Sequence, residues 1–156
     1  MKLKAKKDNV GNVIRIKLDE NTSGVARVIG GSFIEFYDIL LVDAQSDINL
    51  TMLDSSKVLF TLSVHKSWIK NPGWELTGTD TNNIPGPPRQ FMQNIANAND
   101  IKIVDPSGGI IPATKEEVLS EGLERVAVWE DNHIEDRLRD CFAGKPNIWL
   151  EQLKIK

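Results

Sequence analysis

Few residues in this chain could do covalent or metal chemistry: His65, His133 and the lone Cys141. Zinc-type sites draw three or four His and Cys ligands at recognisable spacings, so no metal site is expected. Cys141 with either histidine would supply a nucleophile and a base. The thiol falls, however, on the apolar stripe of an expected helix, where a cysteine is buried and inert. Gly30-Gly31 and Pro106-Ser107-Gly108-Gly109 lack the Gly-Lys-Ser/Thr tail and the strand, GxGxxG, helix order of phosphate loops, and they read as turns. No catalytic residue and no cofactor is assigned.

Charge is the more informative property. Between Glu116 and Asp140 stand nine acids against three arginines, so this stretch carries more negative charge than the whole chain, whose formal net charge is -3. The paired acids Glu130-Asp131 and Glu135-Asp136 suit a solvated, acidic first helical turn. They also suit a field that steers a basic protein partner. The acidic balance argues against a general nucleic-acid binder. Lys2, Lys4, Lys6 and Lys7 read as a solvated terminus, with no apolar segment behind them to suggest a signal peptide and no span long enough for a membrane. A single cysteine suits a reducing compartment, and a cytoplasmic location is expected.

The elements that must carry these residues follow from patterning. Ile14, Ile16 and Leu18 alternate with Arg15 and Lys17, as in a strand with one buried face. Val25–Ile29 and Phe33–Leu41 predict a hairpin about Gly30-Gly31, and the almost continuously apolar second arm predicts a bent or partly barrel-like sheet. Lys57–His65 and Gly73–Gly78 complete five antiparallel strands. Residues Thr79–Pro88 form an irregular loop. Arg89–Ala98 stays open between a short helix and coil, and Ile101–Val104 is a short strand. Thr114 to Glu117 is a capping box that starts a helix. Glu124–Trp129 predicts a strand with Val126 and Val128 on one face, and Asn132–Ala143 a helix with Ile134, Leu138, Cys141 and Phe142 on one face. Asn147–Ile155 is expected as a terminal strand. The whole is an α+β fold, a bent and mostly antiparallel sheet with two or three short helices towards the C-terminus, in one domain over residues 1–156.

Taken in order, Gly11 to Leu18, Gly24 to Val28, Ile34 to Asp38, Val58 to Val64 and Gly73 to Gly78 resemble the twenty-sixth immunity-protein family of bacterial polymorphic toxin systems. Gly122 to Trp129 and His133 to Leu138 are similar to its C-terminal portion. The resemblance implies a protein that binds and neutralises a cognate toxin domain, often a nuclease, by stoichiometric contact and without catalysis. Its own state would be a monomer or weak dimer. An acidic surface fits a basic nuclease cleft. Charge alone nominates Asp131, Glu135, Asp136 and Asp140 as partner contacts, with Trp68 or Trp74 as an aromatic anchor if exposed. Two other classes stay open: a small enzyme with a site near the 79–88 loop and His65 or His133 as base, and a nucleic-acid-binding β-barrel using the N-terminal lysines. The enzyme requires a pocket holding a histidine and a carboxylate within hydrogen-bond reach; the barrel requires a basic stripe with exposed aromatics.

Overall fold

The alternation of Ile14 and Ile16 with Arg15 and Lys17 becomes β1 (Asn12–Lys17), which pairs antiparallel with β2 (Ser23–Gly30) in the register Ile14↔Ala26 and Ile16↔Gly24. The computed structural model describes residues 6–43 and 47–156. β2 turns through Gly30-Gly31 into β3 (Phe33–Leu41), and both glycines adopt positive φ, +131° and +58°, at the turn. β3 continues antiparallel to β4 (Val58–Val64), and β1 pairs on its other side with β5 (Trp74–Thr79).

β3 reads as almost continuously apolar because most of it is buried, on both faces. Ile34 and Phe36 enter one core with Ile14, Ile16, Val28, Phe60 and Leu62; Tyr37, Ile39 and Leu41 enter another with Val13, Val25 and Leu53 of α1 (Thr51–Ser55). The pairing of β3 with β4 shifts register between Phe36 and Tyr37, a bulge that bends the strand. With β10 (Val128–Trp129) added parallel to β4, the sheet order is β10-β4-β3-β2-β1-β5. It does not close into a barrel, since β10 and β5 are its edges.

A second sheet in the order β8-β7-β6-β9 is built from β6 (Gln90–Gln93), β7 (Ile101–Val104), β8 (Ile110–Ala113) and β9 (Glu124–Arg125). Phe91, Ile101 and Ile103 pack there against Val118 of α2 (Lys115–Glu121). The Thr114 hydroxyl accepts the Glu117 N–H at 3.2 Å, which is the N-cap half of the expected capping box. Thr114→Ala is expected to lower stability by about 1 kcal/mol in urea unfolding; no change would mean that the α2 terminus is capped by water instead.

Three expectations change. Arg89–Ala98 contains strand β6, because Phe91 alone turns inward between Gln90 and Met92. Glu124–Trp129 is not one strand: β9 joins the second sheet and β10 the first, so the segment bridges the two and leaves Val126 and Val128 exposed. The terminal strand is instead helix α4 (Ile148–Leu153), started by the Asn147 side chain, which accepts the Leu150 N–H at 2.9 Å. Asn147 before a Trp149, Leu150, Leu153 spacing is the helical signal, masked by the period-two pairs Ile148 with Leu150 and Leu153 with Ile155.

Of the N-terminal lysines, Lys6 is exposed as a solvated arm requires, and Lys7 departs from that reading. Lys2 and Lys4 lie outside the described residues, but Lys7 donates to the carbonyls of Ile69 and Asn71, both at 3.1 Å, and stands 5.5 Å from the Trp68 ring centroid. Partial burial lowers its pKa. No helix among the described residues is long and apolar enough to cross a membrane.

Candidate partner-binding site

The acidic row lies on α3 (Asp131–Ala143), whose Ile134 and Leu138 are fully buried against the larger sheet and hold the helix in place. Each contributes about 1.5–3 kcal/mol by leaving water. Cys141 is exposed, contrary to expectation, because in the last turn only Phe142 still reaches the core.

At about 100° per residue, Asp131 and Asp140 fall on opposite sides of the helix, and the structure divides the four acids into two pairs. Asp131 and Glu135 face the 71–74 corner: the Asn71 side-chain amide donates to Asp131 at 2.9 Å, and the Trp74 indole N–H donates to Glu135 at 2.8 Å. Asp136 and Asp140 face α4: the Trp149 indole N–H donates to Asp136 at 3.1 Å, and the Asn147 amide donates to Asp140 at 2.9 Å. Arg139 stands between the pairs, 3.7 Å from Glu135 and 3.0 Å from Asp136. Its Nε also donates to the Leu18 carbonyl at 2.8 Å.

The four carboxylates are thus half-buried and preordered by neutral donors and one arginine, with their net charge still negative. Arg137 does not offset them. It is buried over the Phe60 ring at 3.9 Å and clamps Glu124 through two bonds of 2.8 and 2.7 Å.

Trp68 and Trp74 do not meet the condition set for an aromatic anchor. They are 3% and 0% exposed, because Trp74 packs on Phe36 and on Trp68 at centroid distances of 6.0 and 5.8 Å. The aromatic beside the acids is Trp149, half-buried on α4 and stacked on His133 at 3.7 Å with planes 14° apart. Nothing in the linear sequence joins these rings; the antiparallel return of α4 along α3 does. His65 accepts the Ser67 N–H, and its Nδ1 lies 3.8 Å from Glu130, beyond a hydrogen bond.

A second polar cluster lies on the other face of the larger sheet. Arg27 and Glu35 are cross-strand partners on β2 and β3, bonded at 2.9 Å through Nε. Arg27 also donates to the backbone carbonyls of Asp80, Asn82 and Asn83 at 3.2, 2.8 and 3.4 Å, and lies 3.7 Å from the Asp80 carboxylate. The Tyr37 hydroxyl donates to Glu35, and burial followed by this bond holds its pKa well above the usual tyrosine range. Opposite charges inside the apolar runs of β2 and β3 were the sequence signal for this cluster. A cavity of about 330 Å³ adjoins it, lined by Arg27, Glu35, Tyr37, Asp54, Asn82 and Pro85 among others and by no histidine among the described residues. No group of three or more His, Cys, Asp or Glu is placed to hold a metal among the described residues.

The family model for immunity protein 26 matches residues 9–100, which carry β1 to β6, including the Arg27 cluster and the 71–74 corner that receives Asp131 and Glu135. No curated protein and no solved structure matches the chain. With more than half of its length matched by one family model, the chain belongs to the Immunity protein 26 family.

Proposed function

We propose that the protein neutralises a cognate toxin domain by stoichiometric binding, not by catalysis, as a single domain acting in the cytoplasm. Membership of the immunity family carries this reading. The contact surface is the α3 and α4 face, where Asp131, Glu135, Asp136 and Asp140 are held in place beside the Trp149 and His133 stack. Side chains already ordered by internal bonds lose little entropy on association. Carboxylates beside an aromatic platform suit the basic cleft of a nuclease.

The test is a titration with the purified toxic domain encoded immediately upstream of this gene, at low and high salt. Tight one-to-one binding that weakens with salt is expected. Asp131→Asn with Asp136→Asn keeps one acceptor oxygen at each position, enough for the Asn71 and Trp149 donors, and removes the charges; it is expected to slow association by about two- to fivefold at low salt only. Absence of binding at either salt would remove the reading.

A further inference from the structure

The guanidinium of Arg27 acts on two groups, the Glu35 carboxylate and the start of the loop that follows β5. A buried ion pair adds little net stability over apolar side chains of the same volume. Its consequence here is conformational: three loop carbonyls, those of Asp80, Asn82 and Asn83, are tied to one rigid strand. The base of the loop is fixed from a second side as well. The Asp80 N–H donates to the Gly11 carbonyl at 2.8 Å, and its carboxylate accepts the Asn82 N–H at 3.0 Å. Gly11 sits at φ +90°, and a Cβ there would lie 2.7 Å from the Thr81 methyl and 3.0 Å from the Asp80 carbonyl oxygen. The chain therefore packs backbone against backbone at this point. Asn83 is held at a positive φ of 51°.

Beyond this base, Ile84-Pro85-Gly86-Pro87-Pro88 belongs to no ladder or helix, and Pro85, Gly86 and Pro87 are exposed. Each proline fixes its own φ and pushes the preceding residue to extended backbone, so the tip is stiff without hydrogen bonds. No charged side chain occurs between Thr81 and Pro88.

We propose that residues Asn82 to Pro88 are a preformed recognition loop, a contact surface separate from α3 and α4, which docks Ile84, Pro85 and Pro87 into an aromatic-lined groove on the toxin domain. Arg27 is its positioning residue. The proposal rests on the toxin-binding reading above. Proline-rich extended segments present ring faces and unpaired carbonyls with little ordering entropy left to lose, which is the chemistry that aromatic grooves accept. Lacking charge, this contact differs from the acidic face in being insensitive to salt.

The experiment titrates full-length Pro85→Ser/Pro87→Ser protein with the same toxin domain at low and high salt, alongside wild type, and follows backbone amide exchange of the wild-type loop with and without toxin. The expected result is a loss of affinity of about tenfold or more at both salts, an unfolding midpoint within a few degrees of wild type, and slowed exchange at Asn82 to Gly86 in the complex. Wild-type binding with the variant within about twofold of it, and no slowed exchange, would overturn the loop as a contact and leave the immunity reading intact. Failure of the wild type itself to bind would remove both.

Discussion

Arg27→Met is expected to lower the free energy of unfolding by about 3–5 kcal/mol, the usual result of removing one partner from a buried ion pair. The Arg27, Glu35 and Asp80 side chains are 7%, 3% and 5% exposed, so two carboxylates would be left away from water without their cation. Three loop carbonyls would lose a donor in the same step. The Tyr37 hydroxyl satisfies part of Glu35 but brings no charge. A domain of this size has about 5–15 kcal/mol in total, so the variant would fold but unfold at much lower urea. Arg27→Met combined with Glu35→Leu should recover part of the loss, because the desolvated charge on β3 goes with its partner. Limited proteolysis is expected to cut single-variant chains between Asn82 and Pro88 sooner than wild type. A loss under about 1 kcal/mol in urea would show that water reaches the pair.

Trp74→Ala has an expected effect of similar size for a different reason. The ring is fully buried among Phe36, Trp68 and the apolar face of β1, and its truncation leaves a cavity that two packed aromatic neighbours cannot readily fill. Large-to-small changes of this kind lower stability by about 3–5 kcal/mol. The indole N–H contributes separately through its 2.8 Å bond to Glu135. Trp74→Phe keeps most of the ring volume and removes that donor, for an expected loss of about 1–2 kcal/mol; Glu135 retains the Asn71 amide at 3.3 Å. Thermal and urea unfolding of the two variants separate packing from hydrogen bonding. Equal losses in both would assign the role of Trp74 to its bond with α3 and not to the core.

The two variants report on opposite faces of one sheet, and those faces differ in how far the linear sequence revealed them. Strict period-two alternation made β1 legible, and the two glycines made the β2 to β3 turn legible, because backbone sterics act within a few residues. The same holds for the Thr114 cap and for Ile134 and Leu138 on α3. Family resemblance was carried by the same segments, since short strands with fixed turns keep their spacing. β8, the 124–129 segment and α4 were harder. β8 is a strand because it pairs with β7, and α4 is a helix whose short apolar pattern satisfies either period.

The sequence by itself determined the α+β composition, the five antiparallel strands of the larger sheet, the acidity of α3 and the family. Only the tertiary structure decided that Trp68 and Trp74 are interior while Trp149 meets His133, that the four acids divide between the 71–74 corner and α4, and that Arg27 faces Glu35 beneath the 80–88 loop. Backbone propensity and periodicity act over a few neighbouring residues and can be read along the chain. Burial, cross-strand register and the partner of a charge are properties of residues tens of positions apart, and they exist only once the chain has closed on itself.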